Sequence, residues 1–192
     1  MGKITVKQTT LDGVLLMEPQ FFKDSRGFFV ESYNKNDFSQ AGIIDEFVQD
    51  NHSKSQKGVL RGLHYQYPHA QGKLVRVLKG SIYDVAVDIR VGSPTFGEHF
   101  AVILSEEHPA MLFVPTGFAH GFLVLQDNTE VMYKVTDFYY PVGDAGLHWN
   151  DPTLSIPWPL DVIGLKSPIL SEKDTIHPTL AELKSPFLYN QD

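Results

Sequence analysis

The chain contains no cysteine. That excludes disulfides and thiolate-held metals, and it is compatible with a cytoplasmic location. No run of 18 apolar residues occurs, so no helical membrane span is expected. The first residues, Met1-Gly2-Lys3-Ile4-Thr5-Val6, lack a long apolar stretch and read as a strand, so no secretory leader is expected. Basic charge is scarce: 16 Lys and Arg stand against 23 Asp and Glu, a formal net charge of −7. A nucleic-acid polymer would want a basic face and is not an expected partner. A small anionic ligand stays possible, because a few local cations suffice for one diphosphate. The chain also lacks a Gly-rich phosphate loop, the Gly-x-Gly-x-x-Gly fingerprint and a Gly-x-Ser-x-Gly elbow. A bound nicotinamide is therefore not expected.

What is present is mostly β-forming. At 192 residues the chain suits one domain, residues 1–192, with a sizeable core. Short runs rich in Val, Ile, Phe and Tyr predict strands over 3–8, 13–18, 27–33, 58–66, 73–79, 81–90, 98–104, 110–114, 119–126 and 129–138. Breaks such as Asp12-Gly13, Lys79-Gly80, Gly92-Ser93-Pro94 and Asp127-Asn128 separate them. Many short strands at this spacing point to an all-β sandwich or barrel. In Tyr83-Asp84-Val85-Ala86-Val87-Asp88-Ile89-Arg90 the apolar odd positions share one face, and Asp84, Asp88 and Arg90 share the other. One helix is predicted over 35–41, capped by Asn36 and stopped by Gly42. From about residue 140 the chain is Pro-rich and loop-like.

Residues suited to chemistry cluster in Arg61-Gly62-Leu63-His64-Tyr65-Gln66, with Lys73 close behind. His64 titrates near neutrality and suits a general base, although a lone histidine is as readily structural. Strand alternation would put Arg61 and His64 on opposite faces, so a shared pocket needs a bulge, and Gly62 is the natural place for it. Lys73 starts a strand and reads equally as a solvated strand end. Tyr133 and Tyr139 share parity, and a phenol can act as an acid or stack, or simply form a barrel wall. Asp174, in Ser171-Glu172-Lys173-Asp174, fits a helix-capping pattern as well as a carboxylate that orients His64. Arg26 beside Gly27, Phe28 and Phe29 pairs a cation with rings. Gln49 and Asn51 share parity and offer amides for a base or sugar edge.

Two resemblances follow. The chain is similar to the cupin barrels, whose template carries His-x-His, a following Glu, and a later Pro-x-Gly-x-x-His. Here His64 and His120 hold histidine positions, in the latter case within Pro115-Thr116-Gly117-Phe118-Ala119-His120. Gln66 replaces the second His, and Lys73 stands at the Glu position. An ammonium has no lone pair for a metal and repels it, so metal-free acid/base chemistry is expected, with Lys73 stabilising an anion.

Over almost its whole length the chain also resembles the dTDP-4-dehydrorhamnose 3,5-epimerase family. The matching blocks include Phe22-Lys23-Asp24-Ser25-Arg26-Gly27, Gln49-Asp50-Asn51-His52-Ser53, Gly58-Val59-Leu60-Arg61-Gly62-Leu63-His64 and Ser171-Glu172-Lys173-Asp174. The resemblance implies a cupin-type jelly-roll barrel with a few short helices, no cofactor, no metal, and a homodimer with exchanged N-terminal strands. It implies inversion at C3 and C5 of dTDP-4-keto-6-deoxy-D-glucose in the cytoplasm. By the same likeness His64 is the base, Asp174 its orienting carboxylate, Tyr133 the acid, and Lys73 the partner of the C4 oxygen. Arg26 and Arg61 would hold the diphosphate, with Phe29, Glu31, Gln49, Asn51 and Tyr139 around the nucleotide. His120 would contact or back the sugar, and Asp84 would support the site. Open alternatives are an epimerase of C3 or C5 alone, a ketoisomerase, a metal-dependent cupin using His64 and His120, and a non-catalytic sugar binder.

Overall fold

The computed structural model describes residues 4–189. In chain order its strands are β1 (Ile4–Gln8), β2 (Leu15–Pro19), β3 (Phe21–Asp24), β4 (Gly27–Val30), β5 (Gln49–Ser55), β6 (Leu60–Gln66) and β7 (Lys73–Lys79). There follow β8 (Ser81–Asp88), β9 (His99–Ser105), β10 (Met111–Val114), β11 (Phe118–Val124), β12 (Thr129–Val135) and β13 (Asp144–Gly146). A helix, α1 (Lys35–Gln40), lies between β4 and β5. One sheet runs β1-β2-β10-β7-β12-β5, a second runs β13-β6-β11-β8-β9, and β3-β4 is a separate hairpin. Their ladders are antiparallel. The two large sheets face each other as a cupin-type barrel, the all-β class expected from the sequence.

Strand parity explains three packed layers. Between the sheets lie Val75 and Val77 of β7, Leu112 of β10, Val131 of β12, Ile82 and Ala86 of β8, and Phe118 and Phe122 of β11. Outside the six-stranded sheet, Met17, Leu74, Met111 and Phe113 pack under Phe38 of α1 and Ile43. Outside the five-stranded sheet, Val85, Val87, Ala119 and Leu123 lie under Leu147, Leu154, Trp158 and other residues of the C-terminal segment. That segment is irregular, so side chains must satisfy its buried polar backbone. Buried Asp151 accepts from the Thr153, Leu154 and Leu180 amides, and Trp158 Nε1 donates to the Trp149 carbonyl over 2.8 Å.

Several boundaries differ from expectation. The predicted strand 3–8 begins at Lys3, outside the described residues; its remainder is β1. The helix cap is Asn34, not Asn36: the Asn34 side chain accepts from the Asn36 amide over 3.0 Å. β5 was not expected as a strand, because Gln-Asp-Asn-His-Ser-Lys-Ser contains no apolar residue. It is an edge strand, and its inner face turns out to line a polar cavity. The strand predicted over 129–138 ends at Val135.

The bulge expected near Gly62 is present. His64 pairs with His120 and Arg61 with Phe122, with a register shift between them. Gly62 has φ +121°, and a Cβ there would stand 2.5 Å from Gly121 Cα. Only glycine tolerates both the backbone angle and the close approach. The shift turns Arg61 and His64 to the same side.

Candidate active site

The barrel interior changes character along its length. One end is the apolar core; the other opens into a cavity of about 560 Å³. His64, Lys73, His120, Tyr133, Asp174, Arg61, Asn51 and Tyr139 all line it. His64 and Arg61 come from β6 of the five-stranded sheet. Tyr133, Lys73 and Asn51 come from β12, β7 and β5 of the facing sheet. The imidazole and the phenol therefore stand on opposite walls.

His64 Nε2 lies 2.5 Å from Asp174 Oδ1. Asp174 sits in a single 3-10 turn, Lys173–Thr175, and is itself buried. The Ser-x-x-Asp pattern closes this turn: the Asp174 amide donates to the Ser171 carbonyl, and Ser171 Oγ donates to Asp174 Oδ2 over 2.7 Å. Burial alone would raise the Asp174 carboxyl, but the His177 and His64 imidazoles and the Ser171 hydroxyl outweigh it. They hold the group well below the usual carboxylate range. Burial also lowers the His64 pKa; Asp174 pulls it back only in part, and Lys73 and Lys173 lower it further. His64 is thus neutral at pH 7. With the Asp174 carboxylate on Nε2, that nitrogen carries the proton and Nδ1 keeps the lone pair.

Lys73 Nζ donates to the His64 carbonyl over 3.2 Å. Burial pushes its pKa down to about 8, with Asp144 and Asp84 opposing the fall. Burial raises the Tyr133 phenol, against the pull of Arg61 and Lys173, so Tyr133 holds its proton. His120 Nε2 lies 2.7 Å from Asp84 Oδ1, and both are buried.

The metal template of the fold does not fit these residues. Lys73 places a cation in the ligand ring. The Gln66 amide is engaged elsewhere: Nε2 donates to the Phe138 carbonyl and Oε1 accepts from the Tyr140 amide. That grip, together with Gln49 Oε1 accepting from the Tyr139 amide, brings Tyr139 to the cavity. Strand parity does not, since Tyr139 lies beyond the end of β12.

Arg26, Phe29 and Glu31 do not line the cavity of this chain. Arg26 and Phe29 belong to the β3-β4 hairpin, which among the described residues pairs only with itself. The Arg26 side chain is 88% exposed and bound to Asp24 at 2.6 Å; Phe29 is 69% exposed. Glu31 accepts from Asn34 Nδ2. Gln49 stands one step back, donating to Asn51 Oδ1 over 2.8 Å. Asp144, Lys173, Ser53 and Gln71 line the cavity and were missed by the sequence reading. Lys173 Nζ meets Asp144 Oδ2 at 2.5 Å, and the Tyr139 hydroxyl reaches the same carboxylate at 3.4 Å.

A sequence profile described as dTDP-4-dehydrorhamnose 3,5-epimerase matches residues 8–182. The dTDP-4-dehydrorhamnose 3,5-epimerase of Shigella flexneri is 52% identical over 173 residues, spanning 89% of this chain and 93% of that one. A crystal structure of the 3,5-epimerase from Legionella pneumophila in complex with dTDP-4-keto-L-rhamnose superposes with a TM-score of 0.93 at 46% identity, covering 98% and 100% of the two chains. A 3′-monoepimerase from Streptomyces bikiniensis in complex with dTDP-quinovose is similar at a TM-score of 0.83 and 33% identity, covering 90% and 86%. With this match along nearly all of its length, on a barrel that faces an imidazole against a phenol, the chain belongs to the dTDP-4-dehydrorhamnose 3,5-epimerase family.

Proposed function

We propose that the protein inverts C3 and C5 of dTDP-4-keto-6-deoxy-D-glucose to give dTDP-4-keto-L-rhamnose, a step of dTDP-L-rhamnose biosynthesis. One observation carries the reading: His64, backed by Asp174, and Tyr133 occupy opposite walls of one cavity.

Both centres flank the C4 ketone. His64 Nδ1 takes the proton, the C–H electron pair moves onto the C4 oxygen, and an enolate forms. The Lys73 ammonium meets that oxygen as its charge grows, a preorganised stabilisation that acts mainly in the transition state. Tyr133 then delivers its proton to the opposite face of the carbon, which inverts the centre. Solvent takes the proton from His64 and restores the one on Tyr133, and the cycle repeats at the second carbon. The scheme calls on no cofactor. Arg61 is the cation on the wall suited to the diphosphate, and Tyr139 and Asn51 suit the nucleoside.

Arg26, Phe29 and Glu31 fit this scheme if they serve a second copy. We propose a homodimer in which each exposed β3-β4 hairpin reaches the neighbouring cavity.

The test is proton NMR of the keto sugar in D2O. Loss of both the H3 and H5 signals, absent in His64→Ala, is expected. Exchange at one carbon would make the protein a single-centre epimerase like the Streptomyces bikiniensis relative. Exchange at neither would overturn the reading.

A further inference from the structure

The turn that supplies Asp174 carries a second imidazole three residues later. The side chain of His177 is 13% exposed, and its Nε2 is buried without a hydrogen-bond partner among the described residues. That nitrogen lies 3.6 Å from Asp174 Oδ1, the oxygen that meets His64. The His64 and His177 rings are 5.7 Å apart, edge to face at 74°. A buried polar nitrogen left unpaired is costly, and the anion it faces among the described residues is the Asp174 carboxylate. The space for it is made by Gly146. A Cβ there would stand 2.7 Å from His177 Nε2, and Gly146 pairs across β13-β6 with His64 itself. His177 is not on the cavity wall.

We infer that His177 is a positioning residue, holding the Asp174 carboxylate in line with His64 through its Nε2–H. The inference rests on the reading of His64 as the base. Ser171 Oγ donates to Oδ2 and His64 Nε2 meets Oδ1. An N–H on His177 Nε2, facing Oδ1 across 3.6 Å, adds an electrostatic partner on that side and opposes rotation of the carboxylate as His64 gains or loses its proton. His64, Asp174 and His177 offer ligand atoms within 4.8 Å of one another, but a dication among them would face Lys73 and Lys173, whose charges already act on His64. An orienting role suits this set better than a metal centre.

The consequence is directional. Each donor on a carboxylate weakens it as an acceptor for the next. Removing the His177 donor makes Asp174 the stronger partner of imidazolium, so His64 holds its proton to higher pH. Asp174, Lys73 and Lys173 are the other charged groups acting on His64, and they remain unchanged in the variants below.

The test compares wild type, His177→Ala and His177→Gln. Gln keeps an N–H at similar reach. The His64 imidazole is titrated by NMR, and kcat and KM are measured on the keto sugar. In the Ala variant the His64 titration and the acid limb of kcat/KM move to higher pH. There kcat falls roughly tenfold, the scale of losing a partner that orients a working imidazole, while KM holds. Gln restores both. An unchanged His64 titration in the Ala variant, or equal losses in Ala and Gln that follow their melting temperatures, would overturn the inference. If the His64 titration moves while wild type fails to exchange the sugar protons, the proposed reaction falls and the positioning role stands.

Discussion

With its pKa brought down to about 8, the Lys73 ammonium is charged at neutral pH and loses its proton in mild alkali. Its role is to meet a developing enolate, so activity falls as pH rises through about 8. The acid limb has the opposite sign: His64 works when neutral, so activity is lost as pH falls through a value below 6.5. A pH profile of kcat/KM, which follows the free protein, checks both limbs, and Lys73→Met should cost roughly 100- to 1,000-fold in kcat at pH 7, as loss of one oxyanion donor does. At this scale much was legible. His64, Gln66, Lys73 and His120 stand at template positions, where a departure from the metal ligands is itself informative. Asp144, Lys173 and His177 were not legible, because they lie in short or irregular segments with no period to give them a face.

Among the elements, β6 matters most for the site, and Gly62 is its weak point. An alanine there meets both the φ of +121° and the neighbouring β11 backbone. We expect Gly62→Ala to cost about 2–4 kcal/mol of stability, read by denaturant unfolding. Activity should fall further than stability explains, because the same shift aligns Arg61 with His64. The need for a bulge was visible in the mismatch between Arg61 and His64 parity. β5 was hidden for the converse reason: its polar inner face serves the cavity, so it lacks the apolar alternation by which strands are read. Tyr139 shows a limit of parity arguments. It reaches the cavity because Gln66 holds the Phe138 carbonyl and the Tyr140 amide on either side of it, 72 and 74 residues away in sequence, and Gln49 accepts from its own amide, 90 residues away.

Across the whole molecule, the C-terminal segment has two duties. It covers the outer face of the five-stranded sheet, and it delivers Asp174 into the cavity. Trp158 joins these roles, packing against Tyr83 at 5.9 Å while tied to Trp149. Trp158→Ala should cost about 3 kcal/mol, measured by thermal unfolding, and should weaken activity although Trp158 lies outside the cavity. Sequence reading placed this region as loop, which is correct in form. What it could not show is that the loop is a packed layer, because coverage of a sheet depends on distant partners and not on local propensity.

The covering layer is held by side chains and a few backbone contacts, whereas the barrel is held by continuous ladders. Such layers open locally at lower free energy than strands do. Each opening withdraws Asp174 from His64 and leaves a folded but idle barrel. Heating should therefore silence the enzyme before the sheets melt, and a bound sugar nucleotide should slow amide exchange in the covering layer more than in the strands beneath it.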